Sequence, residues 1–200
     1  MLRKVLVLFF HPRFEDSIVN KTLINAVQNL PGTTFHDVYE CYPDFDIDIR
    51  SEQSLLLEHD IIVWHHPFYW YSCPPLMKQW IDLVLEYGWA YGKNGRQLQG
   101  KYVFNCLTAG GSQEVYREGG RNRFRVTEFL RPFEQTAHLC QMHYLPPFVV
   151  HHANLATRPE CLRFATAYKD LLNGLVDGSV DPAQIAPTEY INSHMYPTLL

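Results

Sequence analysis

The sequence predicts a doubly wound α/β domain whose five-stranded parallel sheet runs in the order 2-1-3-4-5. Three observations carry that expectation. Short continuous apolar runs, VLVLFF (5–10) and IIVW (61–64), read as strands covered on both faces. Segments with helical apolar spacing stand between such runs, so strand and helix alternate along the chain. The turn after the first run, HPRFEDS, carries no G-x-G-x-x-G, which argues against the dinucleotide-binding order and leaves the other common doubly wound one.

Strand 1 covers 5–10. Asp16 or Ser17 caps a helix running to about residue 30, with Ile18, Leu23, Ala26 and Leu30 on its apolar face, and Pro31-Gly32 stops it. Residues 34–39 read as strand 2, 42–48 as a loop and 51–58 as a short helix. Strand 3 is DIIVWH, 60–65. The helix over 75–87 begins on proline, where a missing N–H costs little. Leu76, Trp80, Leu83, Val84 and Tyr87 form its apolar face, and Gly88 ends it. Strand 4 spans 101–107. Residues 125–139 are helical with a kink at Pro132, 144–150 form strand 5, and 159–176 the last helix. One domain thus covers 1–177, and 178–200 is an irregular, proline-dotted tail.

Composition narrows the function classes. The formal charge is −4 and no basic stripe occurs, so nucleic acid is not an expected partner. The start, MLRKVLVLFFHP, is basic then apolar, but the apolar run ends at His11-Pro12 without a small-residue cleavage site, so a signal peptide is not expected. Cys41, Cys73, Cys106, Cys140 and Cys161 are scattered, as in reduced cytosolic proteins. His65-His66 and His151-His152 are adjacent pairs whose side chains diverge on a strand, so no metal site is expected. Cys73 has nothing in sequence to mark it as an activated thiol.

In the order 2-1-3-4-5, ligands sit at the carboxyl ends of the strands near the switch point. The loops after strands 1, 3 and 4 should then be unusual, and they are. His11 to Asn20 leads into a helix start, where free N–H groups, the Ser17 hydroxyl, the Asn20 amide and the His11 imidazole suit a phosphate; Ser17 serves equally as a plain cap. Phe68, Tyr69, Trp70 and Tyr71 are consecutive, so no single face buries them all; they suit a flat conjugated ring, or a contact between loops or subunits. Thr108, Ala109, Gly110 and Gly111 let backbone approach a ligand, or form an ordinary glycine turn. Tyr116, farther along, offers a phenol to a ring carbonyl. A phosphate site, a glycine turn and an aromatic wall at one edge describe flavin mononucleotide better than ATP.

The block HPFYWYSCPPLMKQWIDLVLEYGWAYG, with VLVLFFHP before it and LTAGGS after it, resembles the NAD(P)H:quinone oxidoreductases of flavodoxin-like fold. YPDFDIDI and LRPFEQTAHLCQMHYLPPF resemble most the ancillary oxidoreductase subunits of bacterial glutathione-regulated potassium-efflux systems. The resemblance covers 4 to about 152. It implies FMN (FAD in longer animal relatives), a homodimer, and two-electron ping-pong hydride transfer from NAD(P)H through flavin N5 to a quinone. It also implies a cytoplasmic protein, peripheral at the inner face of the membrane when it meets an efflux partner. By that pattern His11, Ser17, Ile18, Val19 and Asn20 hold the flavin phosphate, Phe68 to Tyr71 line the isoalloxazine, and Thr108 to Gly111 pass its other edge. Tyr116 matches a tyrosine at the quinone site of animal relatives. The family often has two threonines before the glycines, and the second is Ala109 here; Arg121 and Asn122 stand where the animal relatives' histidine would be, so its proton-relay role does not carry over. A purely regulatory flavin-binding subunit is the alternative. A one-electron carrier fits less well, because such carriers are smaller and more acidic.

Overall fold

The computed structural model describes residues 2–185, 188–192 and 196. In chain order it has β1 (Val5–Phe9), α1 (Ile18–Val27), β2 (Thr33–Asp37), α2 (Val38–Cys41), α3 (Ile49–Leu57), β3 (Ile61–Pro67), α4 (Pro75–Val84), β4 (Tyr102–Thr108), α5 (Val126–Phe129), α6 (Arg131–Leu139), β5 (His143–Tyr144), β6 (Phe148–Val150) and α7 (Arg158–Asp177). The sheet runs β2-β1-β3-β4-β5 with every pair parallel, and β6 also pairs with β4. The predicted α/β class and strand order are those observed.

Alternation along β1 divides the core in two. Val5, Val7 and Phe9 pack with α1 and α7 through Leu23, Ile24, Tyr168 and Leu171. Leu6, Leu8 and Phe10 pack on the other face with Leu56, Trp80 and Phe133. All five β1 side chains are fully buried, which explains why the strand reads as an unbroken apolar run. Trp80 is core, as its place on the apolar stripe predicts, but its indole N–H also donates to the buried Glu52 carboxylate at 2.7 Å.

Four boundaries differ from expectation for identifiable reasons. The fifth strand is two pieces, because Pro146 and Pro147 between them have no N–H for the ladder. The 125–139 helix is broken at Leu130 rather than kinked, and Pro132 sits in the first turn of α6. α4 stops at Val84, where the Gln53 amide takes the Val84 carbonyl at 3.0 Å. The second strand ends at Asp37, whose carboxylate caps the short α2 through the Tyr39 and Glu40 N–H groups.

Part of the tail beyond α7 is docked. Tyr190, Ile191 and Asn192 are fully buried. The Asn192 side chain accepts from the Val149 N–H and donates to the Val149 carbonyl, both at 3.0 Å, and the Ile191 N–H donates to Pro147. One amide therefore stands in for a neighbouring strand on the outer edge of β6. Asn192→Ala leaves two backbone groups buried without partners and is expected to lower unfolding free energy by about 1–3 kcal/mol. Urea unfolding measures this; an unchanged midpoint would mean that water replaces the amide. The tail residues 186–187, 193–195 and 197–200 lie outside the described set.

Candidate functional site

A cavity of about 630 Å3 opens at the carboxyl ends of the central strands. It lies within the range usual for small-molecule sites. Loop segments after β1, β3, β4 and β6 bound it.

One end is built to receive an anion. Ser17 caps α1: its Oγ accepts from the Asn20 backbone N–H at 3.2 Å and from Asn20 Nδ2 at 2.9 Å. Ile18 and Val19, the first two helical residues, line the cavity, and N–H groups there have no intrahelical acceptor. The nearest carboxylate, Asp16, is engaged by Arg13 at 2.6 Å. His11 is buried, and its Nδ1 accepts from the Arg13 N–H at 3.2 Å, which leaves Nε2 as the donor. Burial lowers the His11 pKa to about 4 against the pull of Asp16, so the ring is neutral at physiological pH.

The other end is aromatic and close to backbone. Phe68, with its ring against Tyr116 and Phe129, and Tyr69, edge-on to His11, line the cavity. Gly110 and Gly111 also line it. A Cβ at Gly110 would come within 2.6 Å of Asn154 Nδ2, and one at Gly111 within 2.9 Å of the Tyr116 ring. Both glycines thus let Asn154 and Tyr116 pack against the turn, where a side chain would collide with them. The Tyr116 phenol is buried and its pKa raised, chiefly by burial and then by Tyr71, so it remains an O–H donor. Anion donors at one end and a flat apolar wall at the other fit a flavin nucleotide.

The structure thus gathers His11, Ser17, Ile18, Val19, Asn20, Phe68, Tyr69, Thr108, Gly110, Gly111 and Tyr116 around one cavity. Three residues of the sequence expectation do not line it. Ala109 is fully buried and its N–H extends the sheet to Val150 at 2.8 Å. Trp70 and Tyr71 take φ of +49° and +62° in a tight turn closed by the Ser72 N–H on the Tyr69 carbonyl. That turn, of the type that normally asks for Asn-Gly, leaves Trp70 92% exposed and lays Tyr71 on Phe129. Of the four consecutive aromatics, Phe68 and Tyr69 line this cavity.

The family model for the flavodoxin-like fold matches residues 3–172. The chain belongs to the flavodoxin-like family. Within that family it is 49% identical, over 84% of its own length and 92% of the relative's, to the glutathione-regulated potassium-efflux system ancillary protein KefG of Serratia proteamaculans. It superposes with TM-score 0.82 on general stress protein 14 of Treponema denticola in complex with FMN, at 42% identity, covering 86% of this chain and 99% of that one. It superposes with TM-score 0.77 on an NADPH-quinone reductase from P. pentosaceus, at 31% identity, covering 84% and 96%.

Sequence reasoning missed Ala153 and Asn154, which line the cavity from the segment after β6. The rule that placed the other loops, ligands at the carboxyl ends of strands, applied to the fifth strand as well and would have found them. It also missed His151, which lies under Tyr116 with ring centroids 5.8 Å apart and both ring nitrogens buried without a hydrogen-bond partner. Burial outweighs the nearby Glu114 carboxylate and holds its pKa to about 4.

Proposed function

We propose that this chain binds FMN in the switch-point cavity and acts as a two-electron NAD(P)H:quinone oxidoreductase, and that it also serves a membrane potassium-efflux protein as an ancillary subunit. The observation that carries the reading is the cavity itself, lined by anion donors at the start of α1, by Phe68 and Tyr69, and by Gly110 and Gly111. When bound, FMN supplies the redox chemistry, taking two electrons from a reduced nicotinamide and giving them to a quinone. The chain does the rest. Ser17, His11 and the Ile18 and Val19 N–H groups hold the phosphate, Phe68 and Tyr69 exclude water from the ring, and Tyr116 donates its O–H to the acceptor.

Support for the partner comes from the relatives' names. Among the described residues no helix is long and apolar enough to cross a membrane, so contact with an efflux protein would be peripheral, at its cytoplasmic side. Exposed Trp70, Tyr71 and Phe124 offer a surface that a second copy of the chain would cover. The efflux names also favour the purely regulatory reading, in which flavin is bound but no quinone is turned over.

Purified protein is expected to be yellow, or to take up added FMN, and to reduce quinones with NAD(P)H in the absence of any membrane. Flavin uptake without turnover would leave the regulatory reading; a colourless protein that refuses FMN sinks both. Tyr116→Phe is expected to lower quinone turnover about tenfold, the worth of one transition-state hydrogen bond, without changing flavin content. Equal turnover would remove Tyr116 from the chemistry.

A further inference from the structure

His65 takes no part in the reaction proposed above, yet it sits fully buried on β3 two residues before Pro67, which lines the cavity. Its Nε2 lies 3.0 Å from Asn20 Oδ1, and its Nδ1 3.4 Å from the Tyr168 hydroxyl on α7. Asn20 in turn donates through Nδ2 to Ser17 Oγ at 2.9 Å and to Thr108 Oγ1 at 3.1 Å. Four elements, α7, β3, α1 and β4, are thus joined by one chain of hydrogen bonds that ends on two hydroxyls lining the cavity.

The valence of each group fixes the direction of that chain. A carbonyl oxygen only accepts, so His65 Nε2 carries the hydrogen. Burial keeps the ring neutral, with a pKa of about 3, so Nδ1 is bare and accepts the Tyr168 O–H. Asn20, its oxygen engaged, turns both amide hydrogens to the hydroxyls. Ser17 Oγ already accepts from the Asn20 backbone N–H as well, so both its lone pairs are filled. Its one hydrogen has to be donated outward, and neither it nor the Thr108 hydroxyl donates to a protein acceptor among the described residues. The reverse arrangement, with Asn20 flipped and Nε2 bare, would draw the Ser17 hydrogen inward and face a lone pair to the ligand. That would repel an anion.

We infer that His65 is a positioning residue: acting through Asn20, it turns the Ser17 and Thr108 hydroxyl hydrogens toward the cavity and so makes that end selective for a phosphate-bearing ligand. The inference rests on the FMN reading and deepens it. Riboflavin, which has the same ring system but no phosphate, separates a polarity effect from a packing effect. His65→Leu is expected to weaken FMN about tenfold or more, as loss of a hydrogen bond to a charged group does, while riboflavin affinity changes by less than about twofold. His65→Gln, which keeps an N–H donor near the position of Nε2, should recover most of the FMN affinity. Tyr168→Phe keeps the ring packing and removes the O–H that meets His65 Nδ1 and also lies against the Cys106 thiol. It should weaken FMN about threefold, again sparing riboflavin, and decides the matter if His65→Leu does not fold. Parallel loss of both flavins, or FMN binding in His65→Leu equal to that of the unaltered chain, overturns the inference and leaves the FMN reading standing. An unaltered chain that binds neither flavin overturns both.

Discussion

Between pH 7.5 and pH 5 the fold is expected to lose about 4 kcal/mol of stability, from His65 and His66 alone. Both imidazoles are fully buried on β3, and burial lowers their pKa values to about 3 and about 4, from 6.5 in an open chain. Well above pH 6.5 neither the native nor the unfolded state protonates them, so there they contribute no pH dependence. Below it the unfolded chain takes up two protons that the native state refuses, and each costs about 1.4 kcal/mol per pH unit until the native pKa is reached. The neighbours explain the refusal. His66 Nε2 accepts from the Asn105 amide at 2.9 Å while Nδ1 donates to the Pro67 carbonyl, and Asn105 Oδ1 holds the Tyr144 hydroxyl. A second hydrogen on His66 would point at an N–H, with no carboxylate near to repay it. His65 faces Asn20 and Tyr168, and the nearby His66 and His11 disfavour its charge further. The loss is a large share of the ~5–15 kcal/mol that holds a domain together. Urea unfolding at pH 7.5 and pH 5 reads it directly, and His66→Gln should roughly halve the slope over that range. Equal stability at the two pH values would mean that the rings are charged in the native state.

The same histidine pair shows how far sequence could see. Strand alternation correctly sends His65 and His66 to opposite faces, one toward α1 and α7, the other toward Phe133 and Asn105. It could not show that each belongs to a hydrogen-bonded chain, because Asn20, Tyr168 and Tyr144 come together only when distant segments pack. The fold was legible because β1 and β3 are buried on both faces, which makes β1 and the Ile61–Trp64 part of β3 continuous apolar runs. Three loops of the cavity were legible because strand order dictates where ligands bind. The Trp70-Tyr71 turn was not, since its two positive φ values are imposed on aromatic residues that do not favour them. The break at Pro146-Pro147 was readable and was overlooked: a proline pair inside a strand removes two ladder donors.

Ser17→Asp is expected to abolish FMN binding while leaving the fold intact. Aspartate is as good a helix cap as serine, and its carboxylate can accept from the same Asn20 N–H and amide groups. Thermal stability should therefore stay within about 0.5 kcal/mol of the unaltered chain. The ligand meets a different site. Where a hydroxyl offered a hydrogen, a negative charge would face a phosphate held at α1; two unit charges about 4 Å apart at an effective dielectric constant near 20 repel by about 4 kcal/mol. A loss of at least about a hundredfold in FMN affinity follows even after solvent relaxation takes up half of it. Riboflavin, with no charge to repel, should bind as before. The start of α1 adds to the contrast, because an aspartate there satisfies the helix dipole that would otherwise favour the phosphate. Isothermal titration with the two flavins decides it. If FMN binds Ser17→Asp as it binds the unaltered chain, its phosphate does not lie at α1. The anion would then belong on the other side of Tyr116, in the smaller cavity that Arg117 and Arg125 line, and the orientation of the whole ligand would be reversed.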